Sequence, residues 1–200
     1  MNDPFKSIAS YYDVLVTRHG HSPQACDYGR AESQTAKFKV LAEAMPLEGS
    51  SVLDVGCGFA DFADYLQTRN PDLRYTGCDL SPAMVAAARA RRPDLDIRQA
   101  NVLTDPMEPH EFVTANGIFY LLGQNAPGLM RGLIERMFQL ATVAVAFNSL
   151  SSWAADPEQG EFYADPLETM AFCRQITPWI TLRHDYHPRD FTLYLYKLRP

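Results

Sequence analysis

The chain has 200 residues, of which 46% are hydrophobic and 21% are charged, the balance of an ordinary globular domain. A formal net charge of −6 argues against nucleic acid as the main partner, because phosphate binding needs a basic face. The longest apolar block, Val143–Phe147, is strand-sized, and the N-terminus lacks a signal peptide's apolar core, so we expect no membrane segment. The four cysteines lack metal-ligand spacing, which predicts free thiols of a cytoplasmic protein and no metal site.

Hydrophobic periodicity predicts helices and strands that alternate along most of the chain. Helices are predicted at residues 4–15, 30–45, 61–69, 83–92, 129–140 and 166–175. Strands are predicted at residues 52–55, 75–79, 95–100, 111–116, 142–147, 179–186 and 191–198. Residues 148–163 are predicted to form a long loop, and the last two strands to form an antiparallel hairpin. This order is typical of an α/β domain with a doubly wound sheet.

The segment Ser51–Asp61 combines a short strand, a glycine turn and the start of a helix. Gly56 and Gly58 would let a nucleotide approach the backbone closely at the carboxyl edge of the sheet. A dinucleotide fingerprint requires a third glycine, but this position holds Asp61. Three carboxylates near the turn would repel a diphosphate and suit a ligand with adenosine at one end and positive charge at the other: Asp54, Asp61 and Asp64.

A second polar position follows at the end of the next predicted strand. Asp79 lies 21 residues after Gly58, near the spacing expected of an acid that binds a ribose. Ser81 and Pro82 then have the pattern of an N-cap and first residue of a helix. We therefore expect the Asp79 carboxylate to accept hydrogen bonds from both ribose hydroxyls.

At this point the chain resembles the class I S-adenosylmethionine-dependent methyltransferases, in their small-molecule branch. The resemblance rests on residues 52–61 and 75–84, with weaker matches at 97–102 and 112–117. The chain departs from the family pattern at Ala60, where many members carry glycine. It implies one Rossmann-like domain with a seven-stranded sheet of order 3-2-1-4-5-7-6. Residues 1–48 would form an N-terminal helical lid, and residues 50–200 the core.

The same resemblance implies S-adenosylmethionine as the cofactor and S-adenosylhomocysteine as its product. Asp54 would bind the methionine ammonium, and Asp79 the ribose. The glycine turn would allow close backbone approach at Gly56, Cys57 and Gly58. The adenine would be packed or hydrogen-bonded by Leu80, Met84, Asn101 and Val102. Asn116 would contact the methionine part.

The acceptor side is expected to come from the N-terminal segment. Its candidate residues are Tyr11, Tyr12, His19, His21, Tyr28, Gln34 and Phe38. Tyrosine rings can stabilise a sulfonium, and a histidine could remove an acceptor proton, so the candidate catalytic residues are Tyr12, His19 and His21. Adjacent Tyr11 and Tyr12 cannot both face inward on one helix.

Two other polar groups are given structural interpretations. The arginines at the end of the predicted helix 83–92 are expected to complement its dipole and to be solvated: Arg89, Arg91 and Arg92. Residues 185–190 are interpreted as a hairpin corner.

Three functions follow from these patterns. The first is methyl transfer to a small-molecule acceptor, for example in secondary metabolism, without nucleic-acid or membrane partners. The second is an internal cyclisation or elimination of S-adenosylmethionine that releases methylthioadenosine. The third is a non-catalytic, cofactor-binding partner subunit. The fold alone does not choose among them, because function depends on the site.

Overall fold

Seven strands form one mixed sheet in the computed structural model, which describes residues 4–26, 31–44 and 49–200. The strands are β1 Ser51–Val55, β2 Arg74–Asp79, β3 Asp96–Gln99, β4 His110–Ala115, β5 Ala141–Leu150, β6 Ile180–Arg183 and β7 Asp190–Tyr196. Their spatial order is β3-β2-β1-β4-β5-β7-β6, which confirms the order implied by the family resemblance. The first five strands are mutually parallel, and β7 runs antiparallel to both β5 and β6.

Six α-helices and two short 3-10 turns connect the strands within the described residues. They are α1 Pro4–His19, a 3-10 turn Pro23–Cys26, α2 Ala31–Ala42, α3 Asp61–Gln67, α4 Pro82–Arg91, a 3-10 turn Gly123–Asn125, α5 Ala126–Leu140 and α6 Pro166–Ile176. The Ser81 hydroxyl accepts the Met84 N–H at 3.0 Å and so caps α4, as its sequence predicts.

The core lies on both faces of the sheet because the side chains of each strand alternate between them. One face buries Leu53 and Val113 against the apolar side of α5. The other face buries Val52 and Phe112 in a cluster that contains side chains of α2, α3 and α4. Both faces of the central strands are therefore covered, as expected for parallel strands.

Strand β5 is longer than predicted. It continues through Asn148 and Ser149 to Leu150, whereas the sequence predicts a loop from residue 148 onward. Its partner β7 supplies the reason, because the antiparallel ladder continues to the pair Leu150 and Asp190. Asn148 is fully buried there, and its Oδ1 accepts the Gly117 N–H at 2.7 Å. Polar residues in this segment thus meet their hydrogen-bonding needs inside the sheet.

The other boundaries differ at the ends of elements. Helix α1 continues to His19, one turn beyond its predicted end, and β6 stops at Arg183 instead of reaching residue 186. Residues 30 and 45, the ends of the predicted second helix, lie outside the described residues.

Two properties of the described chain concern its surroundings. None of the helices within residues 4–26, 31–44 and 49–200 has the length and hydropathy needed to span a bilayer. The four cysteines are free thiols, and three of them are buried.

We expect Ser81→Ala to lower the free energy of unfolding by about 1–2 kcal/mol, more than Asp165→Ala does. Both residues are N-caps followed by proline, but Ser81 is fully buried and also donates a hydrogen bond of 2.6 Å to Asp13 on α1. Urea unfolding of both variants measures the difference. An equal or smaller loss for Ser81→Ala would show that the link to Asp13 adds no stability.

Candidate active site

One cavity of about 190 Å³ opens at the carboxyl edge of the parallel strands. The structure brings all ten residues predicted to bind the cofactor to its lining: Asp54, Gly56, Cys57, Gly58, Asp79, Leu80, Met84, Asn101, Val102 and Asn116. They come together because the carboxyl ends of β1, β2, β3 and β4 share one edge of the sheet.

The glycine turn after β1 needs backbone conformations that favour glycine. Gly56 and Gly58 have φ values of +73° and +54°. A Cβ atom on Gly56 would lie 2.4 Å from Cγ2 of Ile118, so this position also requires the absence of a side chain. Ala60 has φ +62° as well, a conformation that is strained for a residue with a side chain and that glycine adopts freely.

Asp54 lies at the centre of the site and is 2% exposed. Its carboxylate accepts hydrogen bonds from the Tyr75 hydroxyl at 2.6 Å and the Thr114 hydroxyl at 3.1 Å. Burial raises the pKa of Asp54 to about 7, against the opposing effect of these two hydrogen bonds. The carboxyl group therefore titrates near neutral pH.

Asp79 joins the glycine turn to the end of β2. Its Oδ2 accepts the Gly58 N–H, and its Oδ1 accepts the Ser81 N–H, both at 2.9 Å. Burial raises the pKa of Asp79, and these backbone hydrogen bonds work in the opposite direction. Each carboxylate oxygen can accept a further hydrogen bond, so the fixed carboxylate can still bind a ligand.

The two asparagines of the site are held by local hydrogen bonds. Oδ1 of Asn101 accepts the Leu103 N–H at 3.1 Å, and Oδ1 of Asn116 accepts from Nδ2 of Asn148 at 2.6 Å. Both side chains are thereby oriented at the cavity wall.

The structure places only Tyr12 of the three predicted catalytic residues in the cavity lining. Its hydroxyl lies 2.7 Å from that of Tyr120, whereas neighbouring Tyr11 is 40% exposed. His19 is exposed at the end of α1 and lies outside the cavity lining, so its predicted catalytic role stays a prediction. Nε2 of His21 lies 3.0 Å from Oδ1 of Asp61 at the protein surface, outside the lining.

Of the other acceptor-side candidates, Gln34 and Phe38 line the cavity. Tyr28 lies outside the described residues.

The arginines at the end of α4 do more than interact with solvent and the helix dipole, which corrects that interpretation. Nη1 of Arg91 lies 3.0 Å from Oδ1 of Asp61. Arg91 and Arg92 both form ion pairs with Asp64. Two of the three carboxylates near the glycine turn are therefore paired with arginine, while Asp54 is held by hydroxyl groups.

Sequence reasoning missed several lining residues that are distant along the chain: Lys37, Tyr120, Ser149, Glu161 and Asp190. Asp190 could have been predicted to line the cavity from its position at the start of the last strand. Because β7 is antiparallel, its first residue lies at the same edge as the carboxyl end of β5. The position of Lys37 in the lining, in contrast, depends on how α2 packs against the sheet.

Comparison with known proteins identifies the family. A methyltransferase domain model matches residues 53–160. The Mycobacterium tuberculosis protein Rv1506c, whose name describes a methyltransferase, is 31% identical over 157 residues, which are 74% of this chain and 93% of that protein. The chain therefore belongs to the methyltransferase-domain family, and it is an S-adenosylmethionine-dependent methyltransferase.

Two further similarities support more limited conclusions. Trans-aconitate 2-methyltransferase of Methylobacterium nodulans is 33% identical over 108 residues, which are 52% of this chain and 42% of that protein. This chain thus spans less than half of that relative. Magnesium protoporphyrin IX methyltransferase from Synechocystis, solved with bound S-adenosylmethionine, has a TM-score of 0.72 at 12% identity and 99% coverage of both chains. That likeness supports the fold.

The residues of this cavity fit S-adenosylmethionine. The described lining contains five acids and one cation: Asp54, Asp61, Asp79, Glu161 and Asp190 against Lys37. Such a lining favours a ligand with a sulfonium and an ammonium group. The Asp79 carboxylate beside Gly58 also has the chemistry to accept hydrogen bonds from ribose hydroxyls.

We expect Gly56→Ala to destabilise the protein by about 2–4 kcal/mol, because it combines a positive φ with a collision against Ile118. Gly123→Ala is the matched control, since Gly123 has φ +72° and open space where its Cβ would lie. Urea unfolding should show a loss of only about 1–2 kcal/mol for this control. Equal losses for both variants would mean that Ile118 moves aside without cost.

Proposed function

We propose that this methyltransferase transfers the methyl group to a small-molecule acceptor that binds beside the cofactor in the same cavity. The observation that carries the proposal is the continuity of the lining. It runs from Asp54 and Asp79 to Ser149 and Asp190 at the other side of the sheet edge. Cofactor and acceptor could thus lie next to each other, and positioning of two reactants is the main requirement for a direct displacement.

The cofactor half would be formed by the ends of β1 to β4. Asp54 would bind the methionine ammonium, Asp79 the ribose hydroxyls, and Asn116 the methionine part. Leu80, Met84, Asn101 and Val102 would surround the adenine, and Gly56, Cys57 and Gly58 would allow close approach. S-adenosylmethionine supplies an electrophilic methyl carbon when bound, so the protein's task is to hold and orient the reactants.

The N-terminal segment would act as a lid over this cavity. Helix α1 has no fully buried residue, which supports a weakly packed cover. Its contacts to the core include the Tyr12 and Tyr120 hydroxyls at 2.7 Å and Asp13, whose Oδ1 accepts from the Ser81 hydroxyl at 2.6 Å. A cover of this kind would exclude water from the transfer step.

Incubation of the protein with S-adenosylmethionine and a pool of small acceptors tests the proposal. Mass spectrometry should find S-adenosylhomocysteine only when acceptors are present. Asp79→Ala should weaken S-adenosylhomocysteine binding by more than about tenfold in calorimetry, because charged hydrogen bonds are lost. Asp72→Ala, an exposed aspartate, is the control and should bind normally. Release of methylthioadenosine without an acceptor would instead support internal cyclisation or elimination.

We expect the affinity for S-adenosylhomocysteine to rise by about fivefold to tenfold between about pH 6 and pH 7.5. Asp54, with a pKa of about 7, is mostly protonated at the lower pH and then lacks the charge that attracts the ligand ammonium. Calorimetry at both pH values measures this change. Asp54→Asn should bind more weakly and with little pH dependence, and an unchanged pH dependence in that variant would remove Asp54 from its assigned role.

A further inference from the structure

Lys37 and Asp190 form an ion pair in the wall of the cavity. Nζ of Lys37 lies 3.0 Å from Oδ1 of Asp190, and the two residues are 8% and 2% exposed. Both residues line the cavity, although Lys37 in α2 and Asp190 in β7 are 153 positions apart in the sequence. A buried ion pair costs desolvation energy and adds little stability by itself, so its place in the wall calls for a chemical reason.

Asp190 is fixed from behind by a second partner. Its Oδ2 lies 2.6 Å from Nδ1 of His187, and Nε2 of His187 lies 3.2 Å from the Ser33 hydroxyl. Burial acts to raise the pKa of Asp190, but the close contact with His187 and the charge of Lys37 outweigh it and hold the pKa below its ordinary value. Asp190 is therefore an ionised, oriented hydrogen-bond acceptor.

The same cavity has many apolar and aromatic lining residues. Those from α1, the β4–α5 connection and the end of β5 include Phe5, Ile8, Tyr12, Ile118, Tyr120 and Leu150, and Leu150 pairs with Asp190 in the sheet. These side chains suit a flat hydrophobic ligand. An ammonium has only donors and a carboxylate only acceptors, so the pair offers one of each to a polar group on such a ligand.

We propose, building on the proposed small-molecule transfer, that Lys37 and Asp190 hold the hydroxyl group of an uncharged aromatic acceptor. The hydroxyl would donate to Asp190 and accept from Lys37. In the transfer, the hydroxyl oxygen forms a bond to the methyl carbon with its own electron pair as the carbon–sulfur bond breaks, and that pair stays on sulfur. The hydroxyl proton passes to the carboxylate of Asp190, and His187 keeps that carboxylate in position. Lys37 stabilises the negative charge that develops on the oxygen.

Charge disfavours a carboxylate acceptor in this position. The described lining has five acids and one cation, and Lys37 is already paired with Asp190. Glu161 also lines the cavity, where its Oε2 accepts from the Tyr163 hydroxyl at 2.5 Å and lies 3.4 Å from the Arg189 guanidinium. A carboxylate acceptor would find the one cation of the described lining already paired with Asp190, so it would place a second carboxylate against the same ammonium.

The test uses probes that share one naphthalene ring and carry a hydroxyl or a carboxylate group. Their binding is measured by calorimetry on the protein saturated with S-adenosylhomocysteine. We expect 2-naphthol to bind at least about tenfold more tightly than 2-naphthoate, because only the hydroxyl satisfies both members of the pair. Equal or tighter binding of the carboxylate, or no binding of the naphthol, would overturn the proposal.

Variants then assign the effect to the ion pair. Lys37→Met and Asp190→Asn should each weaken 2-naphthol binding by about tenfold and leave S-adenosylhomocysteine binding within about twofold. The double variant removes both charges together, so it avoids an unpaired buried charge if a single variant is unstable. Lys39→Met, an exposed lysine on the same helix, is the matched control and should bind both ligands normally. Unchanged naphthol affinity in the folded double variant would contradict the assignment.

The role of His187 requires a separate readout, because it acts through Asp190. The absorption spectrum of bound 2-naphthol distinguishes the neutral from the ionised form. His187→Gln should raise the ionised fraction while the naphthol still binds, because the loss of this partner raises the pKa of Asp190 and makes its carboxylate a stronger base. A purely structural role would leave that fraction unchanged. These measurements are independent of the proposed transfer. The proposed methyl transfer is contradicted if the protein does not bind S-adenosylhomocysteine or if it releases methylthioadenosine. The acceptor proposal is contradicted separately, by the binding results with the naphthalene probes.

Discussion

The buried carboxyl group of Asp54 is the constraint on which the site depends. It lies in β1 between β2 and β4, and each neighbouring strand supplies a hydroxyl to it, from Tyr75 and Thr114. A buried carboxyl group without such donors would be costly, so the three strands must keep their register. The same register sets the position of the glycine turn and of Asp79, whose carboxylate binds the turn through the Gly58 N–H. The packing of the sheet and the shape of the cavity are therefore tied to the same few side chains.

The sheet topology explains how remote parts of the chain reach one cavity. Parallel strands bring their carboxyl ends to one edge, which accounts for the cofactor half. The reversed strand β7 begins at this same edge, so Asp190 lies beside the end of β5. Helix α2 packs over the sheet and brings Lys37 to Asp190. The cavity is thus completed by α2 near the beginning of the chain and β7 near its end.

Acidic residues outnumber basic ones in the described lining of the cavity. Such a lining suits a positively charged cofactor. Arg91 reduces the effect of Asp61 near the turn, whereas Asp54 and Asp79 are held by uncharged donors. Substrate names therefore do not transfer simply from relatives such as trans-aconitate 2-methyltransferase, which this chain matches over 52% of its length.

The sequence by itself determined the order of strands and helices, the glycine turn and the lining of the cofactor half, because these depend on local periodicity and on strand ends that parallel pairing must bring together. The strand order followed from the family resemblance, as periodicity contains no information on neighbours. Only the tertiary structure decided that His19 is exposed, that β5 continues to Leu150 and that Lys37 meets Asp190. These features depend on contacts between residues far apart in sequence, and no local pattern encodes such distances.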